Sequence, residues 1–157
     1  MPNIVAVSTD SQITEQMFEA LNQQLLQLQI ANAHAKREFA TMLQEDLPPA
    51  AVPVLALALQ HDQISQFEIA ERLMVDKASL SRLVTRLEAA GFLTRTLDSE
   101  DRRVTRISAT ELAASRWESV MQSHQTQWKA RMQDWPVEDI DQLISLLSRL
   151  NIEFRQR

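Results

Sequence analysis

The segment from Ser65 to Gly91 constrains the fold more than any other part of the sequence. Ser65 followed three residues later by Glu68 is a capping-box pattern, which predicts that a short helix begins near Gln66. After a turn of about three residues, Asp76 is a good N-cap for a second helix, and Gly91 can close that helix in the left-handed conformation. Two short helices joined in this way predict a helix-turn-helix.

Each of these helices has one apolar face that predicts what it buries. In the first helix the expected buried residues are Phe67, Ile69, Ala70 and Leu73. In the second they are Leu80, Leu83, Val84 and Leu87. The remaining side chains of the second helix project sideways or outward near its N-terminal end, where the positive helix pole and free backbone N–H groups favour phosphate.

Two strand-like stretches follow directly. The sequences FLTRTL and RRVTRIS flank the polar turn DSED, which predicts a β-hairpin whose tip carries Arg102 and Arg103. The turn lacks the Asn-Gly or Asp-Gly pair of a tight hairpin, so we expect a longer tip. A hairpin at this place is a wing, and the segment therefore predicts a winged helix-turn-helix.

A long helix is predicted before this segment, over residues 11–45, after about ten frayed residues. Its apolar residues follow heptad spacing, with Phe18, Leu25, Asn32 and Phe39 at a positions and Leu21, Leu28, Ala35 and Met42 at d positions. A single Asn at an a position can fix the register of paired helices. The alternative is a core-facing stripe of one domain that tolerates one polar residue.

Further helices complete the chain. Pro48 and Pro49 end the first helix, and a buried helix then runs to about Gln60 with Pro53 in its first turn. Residues 109–133 predict another long helix, and an amphipathic helix follows the DWP break. A small winged domain cannot cover both terminal apolar stripes, so the simplest way to bury them is against a second copy of the chain.

The predicted architecture is mainly helical, an α+β winged helix with about six helices and a wing of two or three strands. Residues 1–46 would form an N-terminal dimerisation helix, residues 47–108 a winged helix-turn-helix DNA-binding domain, and residues 109–157 C-terminal dimerisation helices.

Composition argues against catalysis and metal chemistry. The chain has one glycine and no cysteine, which removes phosphate-cradling loops, nucleophile elbows and thiolate sites. His34, His61 and His124 show no metal-ligand spacing, so we expect no enzyme activity, no cofactor and no metal; a metal sensor or enzyme that uses these histidines is the alternative. The sequence shows no membrane span and no secretory signal, which predicts a cytoplasmic protein.

Charge is distributed unevenly. The net charge is −5, yet residues 72–106 contain eight Lys or Arg and five Asp or Glu, so this segment carries 8 − 5 = +3 and the remainder −5 − 3 = −8. A basic segment in an acidic chain is what a protein needs if one end meets phosphate and the other does not. A solvated helix face is the alternative explanation.

The stretches FEIAERLMVDKASLSRLVTRLEAAGFLTR and DSEDRR, with the order of helices around them, resemble the MarR-type (multiple antibiotic resistance regulator) winged helix-turn-helix transcription factors. The resemblance covers essentially the whole chain. It implies a homodimer held by the first and last helices, Ser79, Ser81 and Arg82 exposed on the recognition helix, and an arginine of the DRR motif in a minor groove. It also implies small aromatic or amphipathic effectors bound between the dimer helices and the winged domain. The sequence departs from the family in ISATELA after the wing, which has no glycine, and in its acidic ends.

The candidate DNA-binding residues are Lys77, Ser79, Ser81, Arg82, Thr85, Arg86, Arg102 and Arg103. Arg82 is the first candidate for a base contact, because a guanidinium can address guanine O6 and N7 together; a phosphate contact or a salt bridge to Glu88 or Asp76 is the alternative. Ser79, Ser81 and Thr85 suit phosphates or small base contacts, whereas Lys77 and Arg86 act through charge.

At the wing, Asp98 and Asp101 are expected to stabilise the turn. One of Arg102 and Arg103 would pair with Asp101 and leave the other to enter a narrow minor groove. The alternative is that both arginines only decorate an exposed turn.

The predicted function is a MarR-like regulator, a repressor, that binds a pseudo-palindromic duplex as a homodimer and can be released by an effector. Trp117 and Met121 could line an effector pocket, or be core or interface residues. A winged-helix module that binds protein and not DNA is the alternative function.

Overall fold

The computed structural model describes residues 14–155, so the start that the sequence predicts to be frayed and the first residues of the predicted 11–45 helix lie outside the described residues. The described part contains six helices and one three-stranded antiparallel sheet, which confirms the predicted fold class. The elements are α1 (Glu15–Leu43), α2 (Ala51–Gln60), β1 (Ile64–Ser65), α3 (Gln66–Leu73), α4 (Lys77–Ala89), β2 (Leu93–Leu97), β3 (Thr105–Ala109), α5 (Glu111–Arg131) and α6 (Val137–Arg155).

Side-chain caps set the start of most helices, as short polar residues with a free oxygen do at helix N-termini. The Thr14 hydroxyl accepts the backbone N–H of Met17 at the start of α1, and the Thr110 hydroxyl accepts that of Ala113 at the start of α5. Thr110 also donates its hydroxyl to the carbonyl of Gly91, at 2.7 Å, and so ties the start of α5 to the end of α4. The altered sequence after the wing therefore still provides a capped entry to α5.

The helix-turn-helix forms as its caps predict. The Ser65 hydroxyl accepts the backbone N–H of Glu68, whose carboxylate accepts the backbone N–H of Ser65, so the capping box is complete. Asp76 caps α4 through the backbone N–H of Ser79, at 2.8 Å. Gly91 has φ 79° and closes α4 in the left-handed conformation.

One expectation about α3 is wrong. Ile69 and Ala70 are buried and Leu73 is half-buried, but Phe67 is 54% exposed. Two residues turn an α-helix through about 200°, so Phe67 lies almost opposite Ile69 on this short helix. The sequence pattern contained both residues without deciding which of the two faces inward.

The sheet joins the wing to the helix-turn-helix. Its strand order is β1-β3-β2, with β3 in the middle and antiparallel to both neighbours. Ile107 of β3 lies opposite Ile64 of β1 and Arg95 of β2, and its side chain is fully buried. The two-residue strand β1 supplies the third strand that the sequence left open.

One continuous core lies under the winged helix. It is built from the C-terminal end of α1, the helices α2, α3 and α4, the sheet, and the first half of α5. Phe92, Leu55, Leu80 and Ile107 are among its largest fully buried side chains. This core fixes the orientation of α4 and the wing relative to each other.

The apolar stripes of α1 and α6 lie outside that core. Most of the heptad residues of α1 are exposed, including Phe18 and Leu21, while Leu25 and Ala35 are half-buried and only Phe39 is buried. On α6, Ile144, Leu147 and Phe154 are exposed, and no residue between 137 and 154 is buried. The single chain therefore leaves two long apolar stripes uncovered.

Candidate nucleic-acid interface

The N-terminal half of α4 is open to solvent. Lys77, Ser79 and Arg82 are exposed and Ser81 is half-buried, while Leu80 between them is buried and anchors the helix. Thr85 and Arg86, one turn further on, are exposed as well. The polar residues predicted for this helix therefore lie on its outer side.

Arg82 is held by a neighbour on its own helix. Its Nη2 donates to the Ser79 hydroxyl at 3.0 Å, and among residues 14–155 it forms no ion pair with Glu88 or Asp76. The bond joins residues i and i+3, which lie on the same side of the helix. This arrangement restricts the guanidinium without using a carboxylate that would neutralise it.

Thr85 is tied to the wing. Its hydroxyl donates to the Ser81 carbonyl at 2.9 Å and accepts from Nη2 of Arg95 at 2.6 Å. The same Nη2 reaches the Ser81 carbonyl at 3.2 Å. Arg95 on β2 thus joins the wing strand to the recognition helix through two residues of α4.

Arg95 was missed as a site residue by sequence reasoning, which counted it only as part of the basic segment. Its Nε lies 3.4 Å from Oε2 of Glu88, so the two charges attract, but Nε is buried without a hydrogen-bond partner among the described residues. The sequence did contain one signal for this role: Arg95 lies between Leu93 and Leu97 at alternate positions of the strand, where an apolar residue would be expected. Only the packing of β2 against α4 shows what that residue contacts.

The two other cations of α4 also have partners. The Arg86 guanidinium donates to the backbone carbonyl of Asp46, in the loop between α1 and α2. The Lys77 ammonium lies 5.2 Å from the centroid of the Phe67 ring, in a cation–π contact. Arg86 thereby links the recognition helix to the end of α1, and Lys77 stays at the exposed start of α4.

The wing turn is organised by Asp98. Its Oδ1 accepts the backbone N–H groups of Glu100 and Asp101, and its Oδ2 accepts from Nε of Arg106 at 2.7 Å. The Asp98 N–H also donates to the carbonyl of Val104 across the turn. A single carboxylate therefore holds both sides of the hairpin tip.

The expected pairing of Asp101 with a wing arginine is wrong. The Asp101 carboxylate accepts the backbone N–H of Arg103, at 3.0 Å, and the arginine that pairs with a wing carboxylate is Arg106, with Asp98. The Asp101 side chain bonds the backbone N–H two residues further on, as Asp side chains do in turns, whereas Arg106 reaches Asp98 because β3 runs back beside it. Arg102 and Arg103 both remain exposed.

Three carboxylates near this surface accept hydrogen bonds from their own chain, Glu68 and Asp76 at helix N-termini and Asp98 in the wing turn. Hydrogen bonds from the backbone N–H and hydroxyl of Ser65 lower the pKa of Glu68, and the backbone N–H of Ser79 lowers the pKa of Asp76. The backbone N–H of Asp101, followed by Arg106 and the N–H of Glu100, lowers the pKa of Asp98 to about 2. These carboxylates are ionised at neutral pH, but each one faces N–H groups of its own chain.

A separate cavity of about 490 Å³ lies between α1, α2 and α5. Phe39 and Trp117 meet edge-to-face on its wall, with ring centroids 4.8 Å apart, and Nε1 of Trp128 donates to Nε2 of His124 at 3.1 Å. Met121 also lines it, as do Lys36 and Arg131. The cavity thus has aromatic walls and is lined by two cations and by one carboxylate, that of Glu38.

Neither a membrane-spanning helix nor a cluster of metal-binding side chains is found within the part of the chain that the structure describes.

Comparison with known proteins shows which family the winged-helix segment resembles. Residues 47–105 match the model of the MarR family. A curated relative, the HTH-type transcriptional repressor MdtR of Bacillus subtilis, is 32% identical over 81 residues, which span 52% of this chain and 52% of MdtR. The chain thus matches about half the length of this relative.

Solved structures share the fold. FabT of Streptococcus pneumoniae, solved in complex with DNA, superposes with a TM-score of 0.76 at 14% identity, covering 88% of this chain and 98% of FabT. A MarR family protein from Bacillus stearothermophilus superposes with a TM-score of 0.75 at 22% identity, covering 91% and 99%. The resemblance inferred from the sequence is confirmed over residues 47–105, and the matching curated relatives are named as HTH-type transcriptional regulators.

Proposed function

The winged-helix segment of this chain belongs to the MarR family, and on that basis we propose that the protein is a cytoplasmic transcriptional repressor that binds a pseudo-palindromic DNA operator as a homodimer. One observation carries the proposal: Lys77 at the start of α4 and Arg103 of the wing line the same cleft, so the helix and the wing present their cations on one surface. FabT, which has this fold, was solved in complex with DNA.

We assign DNA binding and dimerisation to different parts of the chain, in line with the predicted domains. Residues 47–108 bind DNA, and residues 1–46 and 109–157 pair with a second copy. The exposed apolar stripes of α1 and α6 support this, since stripes of that length are normally covered in solution. A two-fold dimer would place its recognition helices in half-sites about 10 bp apart.

Arg82 is the proposed base-reading residue. It is exposed, lies in the N-terminal half of α4, and is oriented by Ser79 without a carboxylate partner. A guanidinium that bonds guanine O6 and N7 contributes about 1–3 kcal/mol of discrimination. Ser79, Ser81 and Lys77 would then contact phosphate, while Thr85 and Arg86, which already have partners within the chain, would contribute less.

The wing would enter a minor groove through Arg102 or Arg103. Asp98 keeps the turn in place by three hydrogen bonds from its own hairpin, which leaves both arginine side chains available. Asp101 would support the turn through its bond to the Arg103 N–H.

Release by an effector would use the cavity between α1, α2 and α5. Its aromatic walls, together with Lys36, Arg131 and Glu38 as charged groups, suit a small aromatic or amphipathic molecule. Because α1 carries an uncovered stripe at one end and contributes to the winged-helix core at the other, a ligand there would change the separation of the two winged domains. An aromatic sulfonate dye is a suitable probe, with tryptophan fluorescence as the readout.

Binding of fluorescent duplexes from the protein's own upstream region, measured at increasing salt, tests the proposal. We expect tight binding that falls steeply with salt, a loss of about tenfold or more on Arg82→Ala, and a smaller loss on Arg103→Ala. Arg116→Ala, which removes an exposed arginine from α5, is the matched control and should bind as the wild type does. Absence of salt-dependent binding to any duplex would instead support a protein-interaction module.

A further inference from the structure

The exposed ring of Phe67 lines the cleft that holds Lys77 and Arg103, and no role described so far uses this ring. The cleft has a volume of about 300 Å³ and separates the start of α3 and α4 from the wing. Its lining residues are Gln66, Phe67, Lys77, Arg103, Val104 and Thr105. It therefore has an aromatic surface, one cation from α4, and one cation from the wing.

Among residues 14–155, no carboxylate lines this cleft, although acidic residues are close in sequence. The Glu68 carboxylate is turned back onto the N–H and hydroxyl of Ser65, and Asp76 is bound to the N–H of Ser79. Lys77 is positioned over the Phe67 ring and not over either acid. The cleft is thus a cationic site in a chain whose net charge is −5.

The position of the cleft specifies what can fill it. If α4 lies in a major groove and the wing in the adjacent minor groove, one sugar–phosphate strand must pass between them. A strand there brings phosphates to Lys77 and Arg103, and deoxyribose, which is apolar on its ring carbons, to the face or edge of Phe67.

We propose that Phe67, Lys77 and Arg103 form a clamp for one deoxyribose–phosphate strand of duplex DNA, with the Phe67 ring packed on a sugar and the two cations on the flanking phosphates. The inference rests on the proposed function and adds to it a contact that carries no base information. It assigns Arg103 to a phosphate, so Arg102 is the wing arginine that enters the minor groove. Because backbone contacts are the same for every sequence, the clamp strengthens binding to operator and unrelated DNA alike.

Hydroxyl-radical footprinting and anisotropy on the 157-residue chain test the clamp. Hydroxyl radicals cleave at accessible deoxyriboses, so the wild type should protect one or two sugars between the recognition-helix contact and the wing contact in each half-site. Phe67→Ala should restore cleavage at those sugars and weaken binding about tenfold on specific and unrelated duplexes, with an unchanged salt dependence. Phe67→Leu, which keeps apolar bulk, should have a smaller effect on both readouts.

Lys77→Gln should leave the sugar protection in place and lower the salt slope by about one per protomer, because it removes a phosphate contact. Leu112→Ala, at a half-exposed apolar residue of α5 outside the cleft, is the control and should change neither readout. If the wild type binds DNA and Arg82→Ala weakens it while Phe67→Ala leaves protection and affinity unchanged, the clamp is refuted and the proposed function stands. If the wild type binds no duplex, both are refuted.

Discussion

The winged-helix region and the long helices differ in how far their apolar side chains are buried within one chain. Between residues 47 and 109 the large apolar side chains mostly meet within one chain, and residues such as Leu80, Val84 and Ile107 are almost completely buried. On α6, and on α1 before its C-terminal end joins the core, most residues of the same kind are exposed, as with Phe18 and Ile144. One region completes its own core, and the other is incomplete as a single chain.

The exposed polar residues show the converse difference. The segment 72–106 carries a charge of +3, whereas the rest of the chain carries −8. Within the region with a closed core, the segment from α4 to the wing therefore presents cations, whereas the α1 and α6 helices present apolar stripes. A surface of the first kind suits phosphate, and one of the second kind suits a copy of itself. The two regions differ in the partner that each can satisfy.

The largest expected effect comes from charging the stripe of α6. Ile144→Glu combined with Leu147→Glu should yield a monomer by sedimentation analysis and weaken operator binding about 10²–10⁴-fold. The reason is that the second half-site contact becomes an independent binding event when the dimer is lost. DNA affinity measured at fixed salt and low protein concentration gives the size of the effect.

Gln142→Glu on the opposite side of α6 adds the same type of charge and should leave the dimer and its affinity intact. A double variant that remains dimeric would show that α6 does not hold the two copies together. The contrast drawn above would then apply to α1 alone.

The second effect tests whether the winged-helix core is closed. Ile107→Ala should lower the free energy of unfolding by about 2–5 kcal/mol, because it removes buried apolar contacts from the central strand. Leu97→Ala, on the exposed end of β2, should change it by less than about 0.5 kcal/mol. In urea titrations the Ile107→Ala loss should not depend on protein concentration; a loss that grows on dilution would mean that this core depends on the second copy.

Local signals explain which parts of this fold could be predicted. Ser65 with Glu68, Asp76 and Gly91 each act within four residues, so the caps of α3 and α4 follow from sequence alone. Met74 closes α3 in the left-handed conformation, with φ 52°, and no sequence rule selects methionine for that role. The distinction is whether the residue type itself favours the backbone shape.

In the candidate site, too, features set by local sequence could be predicted and features set by tertiary contacts could not. The outward position of Ser79 and Arg82 follows from the helical period of α4. The bonds of Arg95 to Thr85 and of Arg106 to Asp98 join residues ten and eight positions apart, and they exist because the β-hairpin folds back on α4 and on itself. Pairing residues that are neighbours in sequence, as was done for Asp101, does not predict contacts that depend on how the hairpin folds back.

The third effect compares the two left-handed caps. At the end of α3, Met74 pays a cost for its positive φ, while Gly91 at the end of α4 does not. Met74→Gly should therefore raise the free energy of unfolding by about 0.5–1 kcal/mol, and Gly91→Ala should lower it by about 1 kcal/mol. A Cβ at position 91 would lie 3.5 Å from Cδ2 of Leu112, which is an ordinary contact, so the loss would come from the backbone.

Thermal unfolding of Met74→Gly and Gly91→Ala at one pH measures both changes in stability. Met74→Ala, which keeps a Cβ at that position, is the control and should stay near the wild type because Met74 is 92% exposed. If Met74→Gly is no more stable than Met74→Ala, the left-handed residue is not strained and the two caps are equivalent.

The smallest effect concerns the wing alone and is a pH dependence. Hydrogen bonds from the Asp101 N–H, Arg106 and the Glu100 N–H lower the pKa of Asp98 from 3.8 to about 2 in the folded protein. Stability from this carboxylate is therefore fully present above about pH 4, and it is lost as the pH falls towards 2. Asp98→Asn, which cannot ionise, should be less stable than the wild type at neutral pH, and the difference should shrink between pH 4 and 2. Arg106→Gln should show the same trend with smaller amplitude, because the two N–H donors of the turn remain. Parallel stability curves for wild type and Asp98→Asn across that range would mean that the charge of Asp98 does not hold the wing.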